Sequence, residues 1–131
     1  MFLNFKNLNF YCHDLTQDIE NLLNQLPKNP ENPTKNNSII IDKATIDAII
    51  RQKNGGHLAK KVFNEMIMKL KPKAFINISD EGPEVRAEFF AEMMPKDVEW
   101  NLVYEDISDK EDYKQNHAEY FAYKITFEFE N

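Results

Sequence analysis

Residues 120 to 130, YFAYKITFEFE, alternate Phe121, Tyr123, Ile125, Phe127 and Phe129 with Ala122, Lys124, Thr126 and Glu128. A period of two sends successive side chains to opposite faces of a strand, so this stretch specifies a half-buried strand within a sheet covered on one side. Any fold for the chain must accommodate it. VEWNLVYED repeats the pattern through Val98, Trp100, Leu102 and Tyr104, and AFINIS, residues 74 to 79, reads as a further strand. Residues 105–117 are dominated by charge and read as the loop of a hairpin joining the last two strands.

Upstream of Pro72 the period changes. Leu58, Val62, Phe63, Met66, Ile67 and Leu70 recur at spacings of three and four, with Lys60, Lys61, Asn64, Lys69 and Lys71 between them, which predicts an amphipathic helix. DLTQDIENLLNQLP predicts another, with Asp14 and Gln17 as a capping box and Pro27 as its stop. PEVRAEFFAEMMP fits both periods. Pro83 at a favourable first-turn position and the Ala, Glu, Arg and Met content favour helix. SIIID reads as a short buried strand, with Asp42 capping a helix that buries Ile46, Ile49 and Ile50. Residues 2 to 11 read as an edge strand with a bulge, because their apolar alternation slips at Lys6 and Asn7. Residues 27–37 carry three prolines and no Leu, Ile, Val or Phe, and read as a solvated loop. The expected architecture is α+β over residues 1–131 as one domain: an N-terminal strand and three to four helices packed on a mostly antiparallel sheet from the C-terminal half.

Between the predicted helices lies IIRQKNGGHLAKKVF. Asn54, Gly55 and Gly56 follow the last apolar turn and read as a C-terminal cap, with glycine taking the left-handed conformation. The spacing of Arg51 and His57 resembles that of the HEPN ribonucleases, which implies two side chains facing a scissile phosphate. The likeness covers seven residues. That family is an all-helical bundle, whereas the second half here reads as sheet, so the pair is assigned to the helix junction.

A chain of 131 residues with ten Phe, five Tyr and one Trp has the apolar material for one core. No run of about 18 apolar residues spans a bilayer, and the opening MFLNFKNLNFYC is too broken by Asn and Lys for a secretory signal. Cytoplasmic residence is the expectation, and the single Cys12 agrees with a reducing compartment. His13, His57 and His117 show no metal-ligand spacing, there is no phosphate-binding glycine loop, and no flanked nucleophilic serine occurs. No cofactor, metal or catalytic residue is assigned, and the chain is read as no enzyme.

Charge is unevenly distributed. Residues 1–42 hold three basic and five acidic side chains, residues 43–79 eight and two, and residues 80–131 five and fifteen. An acidic surface repels nucleic acid and steers a basic partner. The preferred reading is a small acidic inhibitor of the toxin-immunity or anti-CRISPR kind, from a phage or mobile element, that blocks a basic, nucleic-acid-handling protein. Its partner-binding residues would be Glu99, Glu105, Asp106, Asp109, Glu111, Asp112, Glu119 and Glu128, with Tyr104, Tyr113 and Tyr120 as aromatic anchors. The alternative is a nucleic-acid-binding accessory domain that uses the basic helix 57–73 through Arg51, Lys53, Lys60, Lys61, Lys69, Lys71 and Lys73.

Overall fold

The computed structural model describes residues 9–26 and 38–129, apart from the side chains of Asp112 and Tyr113. Among these residues the chain forms α1 (Glu20–Gln25), β1 (Ile39–Lys43), α2 (Thr45–Ile50), α3 (Gly55–Leu70), β2 (Ala74–Ser79), α4 (Pro83–Met93), β3 (Glu99–Asp106), α5 (Lys110–Asn116) and β4 (Phe121–Glu128). The fold is α+β. Its four-stranded sheet has the order β1-β2-β4-β3, with β1 parallel to β2 and the other two pairings antiparallel. None of the described helices is long and apolar enough to cross a membrane.

Register explains the core. Pairing sets Ile40 beside Phe75, Phe75 beside Ile125 and Ile125 beside Leu102, so one sheet face carries Ile40, Phe75, Tyr123, Ile125, Leu102 and Trp100. The helices α2, α3 and α4 cover that face with Ile46, Ile49, Val62, Phe63, Met66, Ile67, Phe90 and Met93. Phe63 and Phe75 meet edge to face with ring centroids 5.1 Å apart, and Phe90 lies 6.1 Å from Tyr123. Each fully buried aromatic or branched side chain of this cluster contributes about 1.5–3 kcal/mol.

The period-two strands and the two longer helices form where their apolar spacing places them. Four local features differ. The helix expected from Asp14 begins only at Glu20, because the Asp14 carboxylate accepts hydrogen bonds from the N–H and hydroxyl of Thr16 and closes a turn of its own. At the α2–α3 junction the left-handed residue is Asn54, with φ 58°, and neither glycine has positive φ. Gly55 opens α3 instead, in a place where a side chain would collide with the Ile49 and Ile50 carbonyls. Lys110–Asn116 is helical within the expected hairpin loop, led by Asp109, whose carboxylate accepts from the N–H of Glu111 at 2.8 Å. Finally, β1 is an edge strand with Ile39 and Ile41 exposed, not a buried one.

The expected N-terminal strand falls mostly outside the described residues, and residues 9–14 form no strand. The 27–37 loop also lies outside them.

Candidate functional site

Strands β1, β2 and β3 all run in one direction, and β4 runs against them. Their carboxyl ends therefore share one edge of the sheet with the start of β4. In open sheets this edge is where loops are free to build ligand sites. Beneath it lies a buried polar network. Asp42, at the end of β1, accepts from the backbone N–H of Thr45 at 2.9 Å through one carboxylate oxygen. Its other oxygen accepts from the Asn77 amide of β2 at 2.7 Å. The predicted capping role of Asp42 is thus what joins α2 to the central strand.

A second buried group lies beside the first. Arg86 of α4 is only 2% exposed, pairs with the Asp47 carboxylate of α2, and donates to the Ser79 hydroxyl at 2.7 Å. Ser79 donates in turn to Asp47 at 3.2 Å. The guanidinium lies 5.0 Å from the Phe89 ring centroid, a cation–π separation. Among the described residues, Nε and Nη1 of Arg86 and Oδ1 of Asn77 are buried without a hydrogen-bond partner. The pair ties α2, β2 and α4 together under the rim.

Above the network the Glu81 backbone is held at both ends: its N–H donates to Ser79 at 3.1 Å and its carbonyl accepts from the Tyr123 hydroxyl at 2.6 Å. Burial raises the Tyr123 phenol above its ordinary value of 10.0. A raised folded-state value stabilises the fold below pH 10 and loses that contribution as pH rises through it. Alkaline titration of unfolding stability should therefore fall off less above pH 10 in Tyr123→Phe than in the parent protein, read by denaturant midpoints across the range.

The rim itself is acidic and aromatic. Asp80, His117, Ala118, Glu119 and Tyr120 line an open cleft of about 320 Å³. Glu105 and Asp106 end β3 alongside, and the N–H of Ile107 donates to the Tyr120 carbonyl at 2.9 Å. Hydrogen bonds from Ser108, first its hydroxyl and then its backbone N–H, hold the Asp106 carboxyl below the ordinary carboxylate range. Tyr104 and Tyr120 are exposed.

The residues expected to bind a partner fall into two places. Glu105, Asp106, Glu119, Tyr120 and Tyr104 gather towards the carboxyl rim, with Asp109 and Glu111 on the connection that follows. Glu99 and Glu128 are directly paired at the far end of β3 and β4, roughly 24 Å away along an eight-residue strand. The side chains of Asp112 and Tyr113 lie outside the described residues.

Arg51, Lys53, Lys60, Lys61, Lys69, Lys71 and Lys73 are all exposed. Lys69 is engaged by Glu20 at 2.7 Å, Glu65 at 3.3 Å and Asp18 at 3.6 Å, and its ammonium is raised above its ordinary value, chiefly by the hydrogen bond to Glu20. That part of the basic surface is already paired with the chain's own carboxylates. Arg51 follows α2 and His57 lies in the first turn of α3, across the junction that separates them.

Sequence reasoning did not single out Asp47, Asn77, Ser79, Asp80 or Arg86. Asp47 and Arg86 are 39 positions apart, and only the packing of α4 against α2 shows them to be partners. Among the described residues, no three His, Cys, Asp or Glu side chains are grouped so that they could hold a metal ion.

No known family profile matches the chain. It is 29% identical over 89 residues to the mitochondrial citrate synthase-lysine N-methyltransferase of Danio rerio, a stretch that takes in 67% of this chain and 34% of that protein. The chain thus spans about a third of the curated relative it matches, and no solved structure is similar to it.

Proposed function

We propose that the chain is the acceptor-side part of a larger methyltransferase-type unit, and that the carboxyl rim of its sheet docks a basic, lysine-bearing polypeptide. The observation that carries this reading is the convergence of three co-directional strand ends beneath Asp80, Glu105, Asp106, Glu119 and Tyr120, on a chain similar to a lysine methyltransferase. Exposed carboxylates attract an ammonium group, and tyrosine faces add cation–π attraction. The basic partner expected from the charge layout is then a substrate.

Among the described residues, none forms a site that fits a methyl donor of the S-adenosyl sulfonium class. Such nucleoside ligands favour a glycine turn between a strand and a helix. Here that turn carries Ala44, and the carboxylate of Asp42 already occupies the first N–H groups of α2. The β2–α4 turn has Gly82, but Asp80 and Glu81 precede it. Neither turn offers the open backbone N–H groups that such a donor needs.

Fluorescence anisotropy with a lysine-rich peptide tests the acceptor reading against its norleucine counterpart. The lysine peptide should bind more tightly, and the Asp80→Asn, Glu119→Gln double variant should weaken it by about tenfold, or 1.4 kcal/mol. Equal binding of the two peptides would remove the reading. Capture of a basic nuclease whose activity is thereby blocked would favour the inhibitor reading of the same rim.

A further inference from the structure

Strand β3 forms the margin of the sheet opposite β1, and its outer edge is unpaired among the described residues. Its side chains alternate. Trp100, Leu102 and Tyr104 lie on the helix side, the first two half-buried and Tyr104 57% exposed, whereas Glu99, Asn101, Val103 and Glu105 lie on the other face and are exposed. Across on β4, Glu128 stands directly opposite Glu99, and Lys124 opposite Val103. Like charges in facing positions destabilise a sheet. Among the described residues neither Glu99 nor Glu128 has an ion-pair partner, and with Trp100, Asn101, Thr126 and Phe127 they line a hollow of about 260 Å³.

We infer that the open edge of β3 takes up the basic polypeptide as an added strand, whose lysine or arginine side chains at two positions six apart meet Glu99 and Glu105. This deepens the acceptor reading and rests on it. An edge strand offers a row of main-chain N–H and C=O groups to an extended segment, and charge selects which segment. Glu99 and Glu105 share a face about 20 Å apart, so a strand with basic residues at that separation brings one cation to the hollow between Glu99 and Glu128 and another to Glu105. Its alternate residues are apolar and lie beside Leu102 and Tyr104. A second copy is the wrong occupant. β3 is acidic at both ends, so two copies paired antiparallel along it would set carboxylate against carboxylate. The other open edge, β1, presents Lys43 and no uncompensated carboxylate, since Asp42 is bonded to Thr45 and Asn77. A strand on β3 has one end at the carboxyl rim, where Asp80, Glu119 and Tyr120 line the cleft.

Hydrogen exchange of the full chain, followed by NMR, tests the inference with a short synthetic peptide that alternates valine with threonine and carries lysine at two threonine-side positions six apart. The outward amides of β3 should exchange at least about tenfold more slowly with the peptide bound. A scrambled peptide of the same composition, and one N-methylated along its pairing edge, should each bind at least about tenfold more weakly. Glu99→Lys sets unlike charges opposite each other and so keeps the strand pair; it should weaken the lysine peptide by a similar factor and take instead a peptide with glutamate at the matching position. Equal binding of the scrambled peptide, protection along β1 instead of β3, β3 amides already protected in the free chain, or pairing of two copies would each overturn the inference. Binding that needs Asp80 and Glu119 but not an open peptide backbone would overturn it and leave the acceptor reading standing. Protection of β3 with no loss of affinity in the Asp80→Asn, Glu119→Gln variant would uphold the added strand and remove the rim's part.

Discussion

Replacing Gly55 with alanine should destabilise the protein by about 3 kcal/mol, towards the upper end of what overpacking a tight site costs. The added Cβ would stand 2.6 Å from the Ile50 carbonyl carbon and closer still to the Ile49 and Ile50 oxygens. These are backbone atoms at the end of α2, so relief requires α2 and α3 to move apart, and Ile46, Ile49, Val62 and Phe63 pack across that junction. Gly56 provides the contrast. A methyl group there meets nothing within 4 Å, and Gly56→Ala in the first turn of α3 should gain up to about 1 kcal/mol from helix propensity and a less flexible unfolded chain. Chemical denaturation of both variants reads the difference directly. Equal stabilities would mean that the helices do not approach as described.

Asp47→Ala should cost about 3–5 kcal/mol, because it leaves the Arg86 guanidinium buried without its counter-charge. The two side chains are 11% and 3% exposed, so water cannot take over the role of the carboxylate. Changing both residues should be far milder than changing Asp47 alone. In Asp47→Ala with Arg86→Met, the flexible thioether fills the space against Phe89 and Phe90, and most of the lost stability should return. A double variant as unstable as the single one would show that the network matters through Ser79 and the Glu81 turn more than through charge.

How far the sequence could be read followed how local each determinant was. The last two strands and helix α3 were legible because burial on one face imposes a repeat that nearby residues carry in full. PEVRAEFFAEMMP fits both periods, and only Pro83, whose missing N–H costs nothing in a first turn, and its composition pointed towards the helix that α4 forms. Asp14 misled: its carboxylate had two uses, and the turn with Thr16 prevailed over the helix cap. SIIID misled differently, since a run of three isoleucines says that a strand is apolar on both faces without saying that both faces are covered. The parallel pairing of β1 with β2 is a matter of connection handedness and packing, and no residue in either strand announces it.

The site was harder to read. Charge and aromatic character mark Glu105, Asp106, Glu119 and Tyr120 in the sequence, and the register of β3 on β4 brings them to one rim while carrying Glu99 and Glu128 to the other end. Asp42 was recognised from its cap. Its second bond, to Asn77 across 35 positions, was not, because such a bond exists only once β1 lies beside β2.

Strand β1 has a bearing on the life of the molecule as well as on its chemistry. Positions 39 to 41 carry neither a charge nor a proline, the usual deterrents to strand-on-strand sticking, and they combine open main-chain groups with branched hydrocarbon. Left bare in a crowded cell, such a margin invites clumping and proteolytic clearance. How much of the protein accumulates should accordingly track the supply of whatever shields it.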